Sequence, residues 1–322
     1  MNIHYPMPTS RRGALSMFGG LGAGLLGTTA ALADGHGGEN PLNQTSIDFS
    51  DPVQNLNAFI RVFSDIDPDK VCVGYYTGTL YNVVGDWKKV VPLCGLSGMG
   101  IRRVQTLEDN RYRVFNRELA FYSDIKTGEF VDRWDNPMNG ETVDVFPIQN
   151  MFVNAEIAPI FEFDMEGTTI KQPFSPPWEV MNGSALSLFE VHQEVKSELQ
   201  PDEWPRESSG PVMRISEMFH RHTRVADLEN PDLTSVNYVG SWMRIAPYLP
   251  WMLMGQTEGH LLYRTSTYKF SAVDQLPKAF LAKAEKEYPQ YLEPPPFSSW
   301  GTPNNSSFNT YKDMREPMPA KS

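Results

Sequence analysis

Hydrophobic positions along the chain fall into three regimes. Residues 14–31 form one apolar run rich in Gly, Ala and Leu. From residue 71 to 268, apolar and aromatic residues come in short runs separated by turn residues, the pattern of strands with one buried face. Past Leu276 the spacing lengthens to that of a helix. The short runs are 71–81, 87–91, 101–106, 112–122, 130–134, 142–146, 185–195, 212–225, 238–245 and 259–268. Gly85-Asp86, Glu108-Asp109-Asn110 and the stretch from Asn136 to Gly140 punctuate them as turns. In the late helix Pro277 suits the first turn, Phe280, Leu281, Ala284 and Tyr288 share one face, and Pro289 stops it.

Strands at this density predict a mainly β protein, a single antiparallel β-barrel of calycin-like type with a C-terminal helix. A Pro-rich loop at 172–178 and a polar loop at 200–211 interrupt the pattern without marking a domain boundary. The expected organisation is a signal segment at 1–33, a flexible leader at 34–55, the barrel at 56–296 and an extended tail at 297–322.

The signal reading rests on Arg11-Arg12 before the apolar run and on Ala31-Leu32-Ala33, a small-x-small site before Asp34. The paired arginines resemble a twin-arginine signal. The expected location is therefore periplasmic or secreted. Removing 1–33 takes two arginines and no acid, so 289 residues remain and the net charge moves from −11 to −13. That acidic balance argues against nucleic-acid partners, and no later apolar run is long enough to span a bilayer. An oxidising compartment permits Cys72 and Cys94 to pair, and the alternative reading is two small buried thiols.

Two stretches carry a resemblance. One runs from Tyr122 through Ser-Asp-Ile-Lys-Thr-Gly to Glu129, followed by Trp134-Asp-Asn-Pro-Met-Asn-Gly-Glu141. The other is Gly240-Ser-Trp-Met-Arg-Ile-Ala-Pro-Tyr-Leu-Pro-Trp-Met-Leu-Met-Gly255, then Gly259 and the Leu276-Pro277 helix. Together, from about Phe59 to Pro294, they resemble a bacterial and fungal family known as domain of unknown function 1838. The resemblance implies one domain and carries no assigned catalytic residues.

Candidate chemistry comes from the strands. His220 and His222 share one strand face, as do Glu190, His192 and Glu194, and His260 lies on a later strand. If those faces line the interior, three or four imidazoles and a carboxylate converge. That suits either metal-free acid–base work or a zinc, iron or manganese ion. The alternative is a wet outer face, because Arg214 and Arg224 share that parity while Met213, Ile215 and Phe219 form a core stripe opposite. The segment 242–255 offers an apolar or aromatic ligand flat rings and thioethers from Trp242, Tyr248, Trp251, Met252 and Met254. Arg244, in parity with Trp242, would hold an anionic group. Equally, the segment packs into the core with Arg244 paired to a glutamate. The acids between Asp124 and Glu141 lack calcium-loop spacing and read as capped turns. Nucleophile-elbow, phosphate-loop, dinucleotide and haem-attachment motifs are absent from the sequence.

These readings yield an exported enzyme using acid–base chemistry of lyase, isomerase or hydrolase type on a small apolar or aromatic molecule. Its candidate acid–base and anchoring residues are His192, His220, His222, Arg244 and Glu190. Its candidate ligand-binding residues are Trp242, Tyr248, Trp251, Met252, Met254 and His260. The alternatives are a periplasmic carrier without turnover and a histidine-ligated metal enzyme. No cofactor is fixed by the sequence.

Overall fold

The computed structural model describes residues 40–85, 89–165 and 168–320. The signal-like segment 1–33 lies outside them, as do Asp86 and Trp87. The first helix is α1 (Pro52–Phe63). The strands that follow are β1 (Cys72–Val84), β2 (Lys89–Thr106), β3 (Tyr112–Ser123), β4 (Arg133–Asp135), β5 (Thr142–Asp144), β6 (Ile148–Asn150) and β7 (Ala155–Ile157). Next come β8 (Ile160–Met165), β9 (Thr168–Pro173), β10 (Trp178–Met181), β11 (Ser184–Lys196) and β12 (Val212–Arg224). The chain ends with α2 (Val225–Glu229), β13 (Val239–Ala246), β14 (His260–Phe270), α3 (Lys278–Glu287) and α4 (Ser307–Met314).

The protein is mainly β, built on one large antiparallel sheet. Its order is β10-β11-β12-β13-β14-β1-β2-β3-β6, with β7 also paired to β3. Hairpins β4–β5 and β8–β9 stand apart. The expected closed barrel is not what the pairing shows. Among the described residues no ladder joins the β10 edge to the β6–β7 edge. Instead α1 lies where the edges would meet. Its Leu56, Phe59, Ile60 and Phe63 pack with Val104, Tyr112 and Val114 of β2–β3 and with Phe189 and Val191 of β11. The opposite side of α1 buries Ala58 and Val62 against Ala185, Val225 and Leu228.

The described part of the expected run at 87–91, from Lys89 on, and the run at 101–106 are parts of one strand, β2. Register slips at Leu80 and Tyr81, which pair with Cys94 and Pro92, so Leu93 is the extra residue of a bulge. Proline, which cannot donate to a ladder, is tolerated at such a bulge.

Two layers cover the sheet. On the inner face Leu80, Leu96, Tyr122, Ile215, Trp242 and Tyr263 join Trp134 and Trp251 in the largest apolar cluster. On the outer face of β1–β3, Val73, Met99, Ile101, Leu119 and Phe121 are covered by Phe280 and Ala284 of α3, the helix expected from the sequence.

The described residues of the leader, from Asn40 on, and of the tail, up to Ala320, are more ordered than expected. The Glu229 carboxylate accepts from Thr45 Oγ1, Ser46 N and Ser46 Oγ, and Gly183 N donates to the Leu42 carbonyl. Asp51 caps α1 by accepting from Val53 N at 2.9 Å. The tail forms α4, capped by Ser306, and buries Tyr311 against Phe146 and Trp204.

Both cysteines are free and buried. Cys72 stands opposite Arg102 and Cys94 opposite Leu80. The two are therefore about 26 Å apart along the strand pair, far beyond the reach of a disulfide.

Candidate functional site

The strand parity that buries the core also carries charge. On β12 the inward positions are Met213, Ile215, Glu217, Phe219 and Arg221; on β3 they include Asn116 and Glu118; on β2, Gly100 and Arg102; on β13, Trp242 and Arg244. Glu118, Glu217, Arg102, Arg221 and Arg244 are each no more than 9 % exposed. Because the sheet curls, residues from β1, β2, β3, β11, β12, β13 and β14 line one cavity of about 110 Å³. Its walls include Tyr76, Phe63, Phe189, Phe219, Tyr238 and Trp242, with Arg102, Asn116, Glu118, Glu217 and Arg221 among them. A liquid water occupies about 30 Å³, so the space suits a few waters or one small ring.

Glu118 is held at both of its carboxyl oxygens. Tyr76 Oη donates to its Oε1 at 2.8 Å and Asn150 Nδ2 to its Oε2 at 2.6 Å. Burial raises its pKa, with nearby Glu217 adding to the rise, while the two hydrogen bonds and the charge of Arg244 work against it. The Tyr76 phenol is raised well above its usual value, first by burial and then by Glu118. Glu217 accepts from Trp242 Nε1 at 3.2 Å and lies 3.9 Å from Arg244 Nε. Burial pulls Arg244 down, but Glu217, Tyr263, Glu118 and Tyr122 together more than offset it, so its pKa is raised. The interior thus holds a carboxyl inclined to keep its proton, and beside it a second carboxyl 3.9 Å from the Arg244 guanidinium.

Glu217 also borders a second, larger cleft of about 720 Å³, which it shares with Arg244 and Asn150. Gln193, Lys196, Ser197 and the segment from Asn304 to Asn309 form its polar walls. Glu217 therefore stands between an aromatic chamber and a polar one.

The histidines lie elsewhere. His192, His220 and His222 point to the outer face of β11 and β12, as does Glu190, whose Oε2 lies 3.2 Å from His192 Nε2 at an exposed site. Their expected place in the interior is corrected by parity: the odd-numbered residues of both strands face inward. Nor do the four histidines converge. His220 is opposite Ser241, and Ser241 is opposite Ser266, which leaves His260 about 20 Å further along β14. Among the described residues no group of three or more His, Cys, Asp and Glu is placed to hold a metal ion.

The segment 242–255 divides. Trp242 and Arg244 reach the interior as their parity suggested, and Arg244 meets a glutamate. Tyr248, Trp251, Met252 and Met254 are core residues rather than lining of the aromatic cavity. Tyr248 Oη donates to Asn82 Oδ1 at 2.6 Å, and Trp251 packs on Tyr122 and Trp134. The turn after β4 docks on this segment, with Asn136 Nδ2 donating to the Met252 carbonyl at 2.8 Å. The two marker stretches are thus halves of one packing unit. Asp124 caps its turn by accepting from Lys126 N and Thr127 N, both at 2.8 Å.

Glu118, Glu217, Tyr76, Arg102 and Arg221 were missed by the sequence reading. A signal existed: Glu217 and Arg221 interrupt the apolar stripe of Met213, Ile215 and Phe219.

Fold and site together define a mainly β, curled-sheet protein with an ionisable interior. The chain belongs to the family described as Protein of unknown function (DUF1838), whose model matches residues 69–315. That span takes in α4, so the tail to that point is part of the family's domain. No curated protein matches the chain.

Proposed function

We propose that this chain is an exported enzyme performing acid–base chemistry on a small aromatic or apolar molecule held inside the curled sheet. Curvature, rather than a closed ladder, makes the interior serve as the lumen of a calycin-like barrel. Glu118 is the general acid or base, with Tyr76 and Asn150 fixing its carboxyl. Glu217 and Arg244 supply a second carboxylate and a charge that stabilises a developing anion. The observation that carries the reading is the Glu118 carboxyl, buried, held at both oxygens and raised in pKa, on the wall of an aromatic cavity. Burying ionisable groups costs several kcal/mol each, and sites of chemistry are where such cost recurs.

Carriage without turnover is the second reading, favoured by the ring-rich lining. One comparison separates them. With a panel of small aromatic acids, ketones and esters as substrates, Glu118→Gln is expected to lower kcat by about 10²–10⁴-fold, while His220→Ala leaves it within about twofold. Recovery of every bound compound unchanged, or full activity in Glu118→Gln, would sink the enzymatic reading. Placement in the periplasm or outside the cell follows from the 1–33 segment and belongs to the same proposal.

A further inference from the structure

The cavity end beside α1 holds more positive charge than the described residues balance. Arg102 and Arg221 are 8 % and 5 % exposed. Both lie over the Phe63 ring, their guanidinium carbons 4.1 and 5.4 Å from its centroid. Arg102 Nη1 donates to the Phe63 carbonyl at 2.9 Å, at the C-terminus of α1. Arg221 is surrounded by the rings of Phe59, Phe219 and Tyr238. Arg221 Nη1 and Arg102 Nε have no hydrogen-bond partner among the described residues. Burial lowers the Arg221 pKa; Tyr238 works against that fall, and the charge of Arg102 adds to it. Lys269 shares this region, but its ammonium is engaged by the carbonyls of Arg61, Val62, Ser64 and Val236. Asp65, the nearby acid, acts on Lys269.

The space beside Arg102 is built in. Gly74 and Gly100 pair across β1 and β2 on the cavity wall. A Cβ at Gly74 would come within 2.2 Å of Arg102 Nη2, and one at Gly100 within 3.2 Å. A guanidinium buried without a counter-charge is strongly disfavoured, and its planar donors match a carboxylate.

We infer that Arg102 and Arg221 form a subsite for the carboxylate of a small aromatic acid, with its ring directed toward Glu118. This rests on the acid–base reading of the interior and names its substrate class. Asn116 stands opposite Arg102 and Glu118 opposite Gly100, one inward step along β3. That step is about 7 Å, roughly the length of a substituted benzene ring, and Phe189, Phe219 and Trp242 supply its walls.

Benzoate, benzyl alcohol and inorganic phosphate are the probes, read by calorimetry and by the thermal midpoint of the whole protein. Benzoate is expected to bind wild type at least about tenfold more tightly than benzyl alcohol or phosphate, a gap of about 1.4 kcal/mol. Arg221→Met should lose that preference while still folding, since it removes an uncompensated charge. Should it not fold, Gly74→Ala, which displaces the Arg102 guanidinium, provides the same test. Glu118→Gln should keep benzoate binding. Equal binding of benzoate and benzyl alcohol, phosphate matching benzoate, absence of benzoate binding, or retained preference in the arginine and glycine variants each overturns the subsite. If benzoate fails yet Glu118→Gln still removes turnover of another compound, the subsite falls and the acid–base reading stands.

Discussion

At the scale of single residues, the interior is governed by what burial does to charge. Glu118 holds its proton more tightly in the folded protein than in the unfolded chain, because desolvation outweighs its hydrogen bonds. The sign follows from linkage. Its favourable contribution to stability is complete below the ordinary glutamate value of 4.5 and is lost as pH rises through its raised folded value. Urea midpoints measured across this range should fall less steeply with pH in Glu118→Gln than in wild type; an unchanged slope would mean the carboxyl titrates normally. Cys94 gives a second residue-scale prediction. Burial pushes its thiol up to about 12, so little thiolate exists near neutral pH. Iodoacetamide should leave the native protein unmodified and label both cysteines after unfolding under non-reducing conditions. An unfolded mass lacking both labels would reveal a disulfide instead.

At the scale of elements, α1 is the piece that shapes the site. It closes the gap between sheet edges, and its last turn presents Phe63 to both arginines. Its ends are secured by Asp51 at the start and by Lys269 at the finish, where a cation complements the helix dipole. Asp51→Ala should cost about 1 kcal/mol. Lys269→Met should cost about 2–3 kcal/mol, since it leaves buried carbonyls without their charged partner. Denaturant titration checks both, and a near-neutral Lys269→Met would show that α1 does not depend on that anchor. The spacing of Leu56, Phe59, Ile60 and Phe63 after Asp51-Pro52 was a readable helix signal. The α3 helix was read correctly because proline bounds it at both ends.

At the scale of the whole molecule, a curled ten-stranded sheet brings β3 and β12 to opposite walls of one chamber. Among the described residues no helix is long and apolar enough to cross a membrane. The proposed export depends on the amino-terminal arginines. Replacing Arg11 and Arg12 with lysines should shift the protein from the periplasmic fraction to the cytoplasmic one if the path is of twin-arginine type. An unchanged distribution would point to another route.

The alternation of apolar residues by itself determined that this chain makes antiparallel strands and which residues on each strand share a face, because strand period is a local property of the backbone. It put Trp242 and Arg244 on one face of β13, while the marker stretches were identified by their resemblance to a family. It left open which face of β11 and β12 turns inward, since both faces carry polar groups; the choice fell to the fold, which put His192, His220 and His222 outside. Tertiary structure alone decided that Arg102 and Glu118 of the β2–β3 hairpin meet Glu217 and Arg221 of the distant β12 in one chamber. Their meeting depends on sheet curvature and on where α1 is wedged, and both are set by packing between distant elements rather than by local sequence.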